Sequence, residues 1–191
     1  MSEHLEIEFK TLVVQKDFER LTQFFALTED HFFYQKNYYY DSSDFLLKKQ
    51  NMGLRIRTFS NHAEVTLKIP APEGLLEIND SLSLDAAQRW LDKDTAPTSG
   101  PVYEKLIQIE VDPNRLHVFG SLTTRRAEIT IPSGILALDE NWYNHHHDYE
   151  LELEVTDAVT GKAAFDMLME RLTIPVIPAP NKIQRMFQTL A

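Results

Sequence analysis

Apolar and polar residues alternate along much of this chain, most regularly where charges occupy the polar positions. In Glu6-Ile7-Glu8-Phe9-Lys10 the acids and the lysine fall on alternate positions, with Ile7 and Phe9 between them. Successive strand side chains point to opposite faces, so this segment predicts a strand with one charged and one apolar face. The same period recurs in Arg55-Ile56-Arg57, in Glu64-Val65-Thr66-Leu67-Lys68, in Arg126-Ala127-Glu128-Ile129-Thr130 and in Glu150-Leu151-Glu152-Leu153-Glu154. A single strand of this kind reads well as a solvated surface strand. Repetition changes the reading: acids and bases projecting from several strands toward a common space make a site for a cation and a polyanion.

Strands are predicted over Leu5–Val14, Phe32–Tyr40, Leu54–Phe59, Glu64–Ile69, Leu75–Asn79, Phe119–Thr124, Arg126–Ile131, Ile135–Tyr143 and Tyr149–Thr156. Polar punctuation separates them, with Ser60-Asn61-His62 and Pro132-Ser133-Gly134 suited to hairpins and Asn144–Asp148 to a loop. Helical spacing predicts Asp17–Leu27 with Phe18, Leu21, Phe24 and Phe25 inward, and Ser83–Asp92 with Ala86, Ala87, Trp90 and Leu91 inward. Further helices are predicted at Val102–Ile109, at Gly161–Leu172 with Ala164, Phe165, Leu168 and Leu172 on one face, and at Lys182–Leu190, with a helical turn at Phe45–Gln50. No shift in composition marks a boundary, so residues 1–191 read as one domain. About eight strands with a few helices give an antiparallel α+β fold. If the apolar faces pack on helices, the charged faces line a closed barrel or tunnel.

Composition narrows the chemistry. With no cysteine, disulfides, thiolate catalysis and cysteine-ligated zinc or iron–sulfur sites are excluded. A net charge of −10 argues against broad nucleic-acid binding, while the clustered bases leave room for a small polyanion. No apolar run approaches the ~20 residues that span a membrane, and the first residues lack the pattern of a signal peptide, so a cytoplasmic protein is expected. His145-His146-His147 falls in the predicted loop, where consecutive residues rarely point at one ion, and no histidine metal site is expected there.

The ordered set of charged segments resembles the CYTH superfamily, the triphosphate tunnel metalloenzymes. Glu6-Ile7-Glu8-Phe9-Lys10 matches its ExExK signature. The likeness continues through Tyr39 to Asp41, Leu54-Arg55-Ile56-Arg57, Thr66-Leu67-Lys68, Leu122-Thr123-Thr124-Arg125-Arg126, Ala137-Leu138-Asp139, the Glu150 to Glu154 segment and Asn181-Lys182-Ile183-Gln184-Arg185. It is similar above all to the small stand-alone CYTH proteins of Gram-positive bacteria. The resemblance implies an eight-stranded antiparallel β-barrel with flanking helices, whose interior binds triphosphate compounds with a divalent metal. Family members include inorganic, thiamine and RNA triphosphatases and class IV adenylyl cyclases.

Residue by residue, the resemblance implies that Lys10, Arg55, Arg57, Lys68, Arg126 and Lys182 hold phosphate oxygens, while Glu6, Glu8, Asp139, Glu150 and Glu152 gather Mg²⁺ or Mn²⁺. Hard cations favour carboxylate oxygens, and arginine forks suit pairs of phosphate oxygens. A triphosphate carries roughly four negative charges, so several cations are needed to take it out of water. A glutamate is expected to orient an attacking water, with the choice of carboxylate left open and Glu152 among the catalytic candidates; Lys68 and Tyr39 are an alternative proton-transfer pair. Arg126, in alternation with Glu128, is expected inward rather than Arg125. Glu77 and Glu154 read equally as ligand-facing or solvated acids, and Arg185 as a charge at a helix end. The implied activity is metal-dependent hydrolysis of a small-molecule triphosphate or polyphosphate by a monomer or homodimer. The alternatives are cyclisation of ATP to cyclic AMP, or binding of polyphosphate or nucleotide without turnover.

Overall fold

The computed structural model describes residues 2–189. Its strands are β1 (Ser2–Val13), β2 (Phe32–Ser42), β3 (Gly53–Thr58), β4 (Ala63–Pro70), β5 (Leu75–Leu82), β6 (Leu116–Ile131), β7 (Gly134–Tyr143) and β8 (His146–Val155). Its helices are α1 (Gln15–Phe24), α2 (Leu46–Lys49), α3 (Leu84–Asp92), α4 (Pro101–Gln108), α5 (Ala158–Leu172) and α6 (Lys182–Gln188). The hydrogen-bonded strand order β1-β5-β4-β3-β2-β6-β7-β8 closes on itself as the expected eight-stranded barrel. The chain divides into two compact units, one of residues 2–5 and 35–122 and the other of residues 6–34 and 123–189.

In the first unit β2 to β5 form an antiparallel meander, with Arg55 opposite Thr66, Arg57 opposite Glu64 and Lys68 opposite Glu77. Alternation then puts Leu54, Ile56, Val65, Leu67 and Ile78 on the other face, where they pack with Ala87 of α3 and with Val102 and Leu106 of α4. Each fully buried aliphatic side chain of this kind contributes about 2 kcal/mol. Asp41, at the end of β2, starts α2: its carboxylate accepts the backbone N–H of Ser42, Leu47 and Lys48.

In the second unit β6, β7, β8 and the Glu6–Val13 part of β1 are joined by antiparallel ladders. Their apolar face carries Ile7, Leu136, Leu138, Leu151 and Leu153, against Phe18 and Leu21 of α1 and Phe165, Met169 and Leu172 of α5. The β6–β7 hairpin needs Gly134, whose φ is +150° and where a Cβ would stand 1.9 Å from the Glu154 carbonyl oxygen.

Several expectations are corrected. Phe119–Thr124 and Arg126–Ile131 are parts of one strand, β6, because the adjacent arginines face opposite sides and both find partners. His146 and His147 belong to β8, so the predicted Asn144–Asp148 loop shrinks to a two-residue turn at Asn144-His145. Phe24 is 50% exposed instead of inward, since α1 ends there and its buried residues are Phe18 and Leu21. Leu190, assigned to the last predicted helix, lies outside the described residues.

Candidate functional site

Strand register assembles a charged cluster in the second unit. Arg126 on β6 stands opposite Asp139 on β7, and Asp139 opposite Glu150 on β8. One row further along, Ala137 lies between Glu128 and Glu152, and Glu152 faces Lys10 on β1. Arg126 Nε and Nη2 donate to the two oxygens of Asp139, each at 2.6 Å, and Nη2 also reaches Glu152 Oε2 at 2.5 Å. The small side chain of Ala137 is the row neighbour that leaves space for this diagonal reach. Lys182, the first residue of α6, brings its ammonium to 2.9 Å from Asp139 Oδ2, 2.5 Å from Glu150 Oε2 and 2.5 Å from Glu152 Oε1. Its helix begins there because the Asn181 side chain accepts the Gln184 N–H at 2.9 Å, an N-cap.

The three acids are buried and offer oxygens lying within 4.8 Å of one another. Burial alone would raise the carboxyls of Asp139 and Glu152, yet the cations beside them outweigh it and hold both low. Conversely, burial would lower Arg126 and Lys182, and the surrounding carboxylates push both well up. Asp139, Glu152, Arg126 and Lys182 therefore stay charged across the neutral range. Lys10, paired with Glu8 at 2.5 Å, is raised in the same way: Glu8, Glu152 and Glu150 together overcome its burial.

Arg185 is not a helix-end charge. It is 5% exposed, and its Nη1 and Nη2 donate to Glu150 Oε1 and Oε2 at 3.1 and 3.0 Å. Its Nε donates to Asp148 Oδ2 at 2.9 Å, and Nη1 also donates to the Pro180 carbonyl at 2.6 Å. Asp148 in turn accepts from Asn141 Nδ2 at 3.0 Å and from Tyr143 Oη at 2.7 Å. Burial, and then that bond, push the Tyr143 phenol up to about 12.

A second cluster lies in the first unit. Glu77 on β5 is 6% exposed, which settles it as an inward-held acid and not a solvated one. Lys68 Nζ stands 2.6 Å from its Oε1, Arg55 Nη2 at 3.9 Å and His4 Nε2 3.6 Å from Oε2, while Asn79 Nδ2 donates to Oε2 at 3.2 Å. Burial would raise the Glu77 carboxyl, but Lys68 and then Arg55 outweigh it and bring it to about 2. Arg57 Nε donates to Asn37 Oδ1 at 2.8 Å, and its Nη1 donates to Glu64 Oε1 at 3.2 Å. Tyr39 is opposite Arg55 in register and stacks on Phe119, whereas Lys68 is turned to Glu77.

The remaining expected positions sort by strand. Glu6, Glu8 and Lys10 share one face of β1, and the carboxylates of Glu6 and Glu8 stand outside the close trio of acids. Glu154 is half-buried opposite Glu8. Arg125 faces away from Arg126, its guanidinium 3.7 Å from the Phe32 ring centroid and bonded to Glu140 and Glu29. His147 stacks on Trp142 and pairs with Glu140 at 3.0 Å. Sequence reasoning missed Asn37, Asn141 and Asp148. The last two continue the alternation of Asp139 and of Glu150 by one step each, which is the signal that marks them.

Comparison with known proteins follows the same outline. The family model described as CYTH domain matches residues 4–187. YjbK of Bacillus subtilis (strain 168), provisionally named a triphosphatase, is 37% identical over 188 residues, covering 98% of this chain and 97% of that protein. A crystal structure from Bacillus halodurans, provisionally named an adenylate cyclase, superposes with a TM-score of 0.93 at 40% identity, covering 98% of this chain and 100% of the other. HpAC1 from Hippeastrum, described as an adenylyl cyclase candidate that reveals a dominant triphosphatase activity, superposes with a TM-score of 0.81 at 20% identity, covering 96% of each chain. That last likeness bears on the fold alone.

Proposed function

Since the chain belongs to the CYTH family, we propose that it is a divalent-metal-dependent phosphohydrolase that cleaves inorganic triphosphate or a small organic triphosphate. One observation carries this reading: three buried carboxylates, Asp139, Glu150 and Glu152, converge on a single cationic atom, Lys182 Nζ, with the half-buried Arg126 alongside. A binding protein for an apolar ligand has no use for such a cluster, whose desolvation costs several kcal/mol per ion before pairing.

The donor set fits a hard divalent ion. All the atoms offered are carboxylate oxygens, and no cysteine is available to draw a softer metal. Each carboxylate oxygen that already accepts one hydrogen bond keeps a second lone pair. Asp139, Glu150 and Glu152 would hold the ion, with Glu6 and Glu8 on β1 as further donors. When bound, the ion would supply charge neutralisation at the phosphates and a more acidic water.

The chain's own residues do the rest. Arg126, whose Nε and Nη2 are committed to Asp139 and Glu152, would offer the N–H groups of its Nη1 to phosphate oxygens, with Lys10 and Lys182 as mobile point charges. In the first unit Arg55, Arg57 and Lys68 are the proposed phosphate ligands, and Asn37 fixes the Arg57 fork by holding its Nε. Such donors, set before substrate arrives, stabilise charge as it moves to the departing phosphate. Glu152 is proposed to orient the attacking water, and Tyr39 with Lys68 to hand a proton to the leaving oxygen.

The name carried by the Bacillus halodurans neighbour favours a second reading, cyclisation of ATP to cyclic AMP. A panel of inorganic triphosphate, thiamine triphosphate and ATP, each with Mg²⁺ or Mn²⁺, separates the two. Phosphate release is expected. Cyclic AMP and pyrophosphate from ATP would reverse the assignment, and unchanged ligand throughout would refute both.

A further inference from the structure

Helix α6 spans seven residues and follows a stretch, 174–181, with no regular structure. A helix this short is unstable by itself, so its position depends on what pins it. Lys182 and Arg185 sit three residues apart and therefore share a face. Arg185 spans both oxygens of Glu150 and both of Asp148, while Lys182 touches Asp139, Glu150 and Glu152. Asp148 touches no member of the cluster other than Arg185 in the bonds described above. It is held instead by Asn141, which accepts from Thr124 Oγ1 at 2.8 Å, and by Tyr143. These side chains build a seat for a guanidinium.

We infer that Arg185 is a positioning residue: its fork clamps α6 to Asp148 and Glu150, fixes the orientation of the Glu150 carboxylate, and thereby sets the Lys182 ammonium where it meets the acids and the phosphate chain. Arg185 itself touches neither substrate nor metal. Hydrogen-bond partners of site carboxylates commonly matter this much to the site they orient. The division of labour also explains why an arginine is needed. Its four contacts to two carboxylates require a planar fork, and lysine offers only a point charge.

The inference rests on the triphosphate reading for its ligand, so the experiment separates the two. Inorganic triphosphate in chelator is titrated calorimetrically into wild type, Lys182→Met, Arg185→Met, Arg185→Lys and the Lys182→Met/Arg185→Met double variant. Each single variant is expected to weaken binding about tenfold, with Arg185→Lys failing to rescue, and the double variant is expected to bind no more weakly than Lys182→Met. Additive losses, or wild-type affinity in Arg185→Met, would overturn the inference. Amide exchange gives a readout independent of any ligand. Loss of the fork is expected to release protection in residues 182–189 and leave β8 protected, and unchanged protection in α6 would overturn it equally. If wild type binds no triphosphate, the functional reading fails and exchange alone decides the role of Arg185. Should Arg185→Met not fold, Arg185→Lys is read by the same two criteria.

Discussion

Lys68 and Glu77 are directly opposed on β4 and β5, and their charged atoms meet at 2.6 Å on a face where Glu77 is almost wholly buried. The folded carboxyl lies at about 2 against an ordinary 4.5, because Lys68 and Arg55 outweigh the effect of burial. A depressed folded value contributes stability that is full above the unfolded value and is lost as pH falls toward the folded one. Glu77→Gln is therefore expected to cost about 3 kcal/mol near neutral pH, where it removes the carboxylate that Lys68 and Arg55 face. The gap to wild type should narrow as pH drops below 4.5. Urea melts from neutral pH downward check this, and a gap independent of pH would contradict it.

Arg125 and Arg126 are neighbours with opposite fates. Arg126→Met strips Asp139 and Glu152 of one of their two shared cations, leaving Lys182, and is expected to lower kcat/KM for triphosphate at least about a hundredfold. Arg125→Met loses a cation–π contact with Phe32 and two ion pairs, about 1 kcal/mol of stability, and should leave kcat/KM within about threefold. Steady-state phosphate release and thermal melts on the pair test both halves. Equal losses of turnover would show that the register argument misassigns the inward side chain.

Metal binding is predicted to depend on Glu152. Glu152→Gln keeps the shape and removes one charge, and should weaken Mn²⁺ binding about tenfold or more by calorimetry without substrate present. Chelator is expected to stop phosphate release from wild type, and added Mg²⁺ or Mn²⁺ to restore it. Wild-type Mn²⁺ affinity in the variant would remove Glu152 from the proposed ligand set.

Asn37 is 1% exposed and spends its carbonyl oxygen on Arg57 Nε. Asn37→Ala removes the hold on Arg57 Nε and leaves the guanidinium fixed less firmly, by Glu64 on Nη1, so KM for triphosphate is expected to rise about tenfold with kcat less affected, the signature of a lost binding contact. A fall in kcat at constant KM would place Asn37 elsewhere in the reaction.

Much of this architecture is legible in the sequence because strand period and charge coincide. Glu64 to Lys68 and Glu150 to Glu154 announce both the strand and the face that carries the charges. Arg126 is separable from Arg125 by alternation with Glu128 together with the register of the family motif. What escaped has a common physical cause. The role of Arg185 depends on where a seven-residue helix docks, and its partner Asp148 lies 37 positions away. No local period encodes that contact. The continuity of β6 was hidden by its two adjacent arginines, which look like a break until each is given a partner on its own side. Asn37 sits inside an aromatic run whose obvious reading is core, and only the register with Arg57 shows its polar duty.

The ladder between β1 and β8 sets Lys10 against Glu152, residues separated by most of the chain. At synthesis rates of about 5–20 residues per second, the first strand waits roughly ten seconds or more for its partner to emerge. Until then the lysine and the acids that pair with it are strangers in water, and closing so large a loop must precede any gain from bringing them together. The pairing of Lys10 with the acids of β8 is therefore a lock that engages late, not a seed around which folding begins. Substitutions within it are expected to hasten unfolding far more than they slow folding, so the same residues proposed for chemistry would also govern how long a finished molecule lasts.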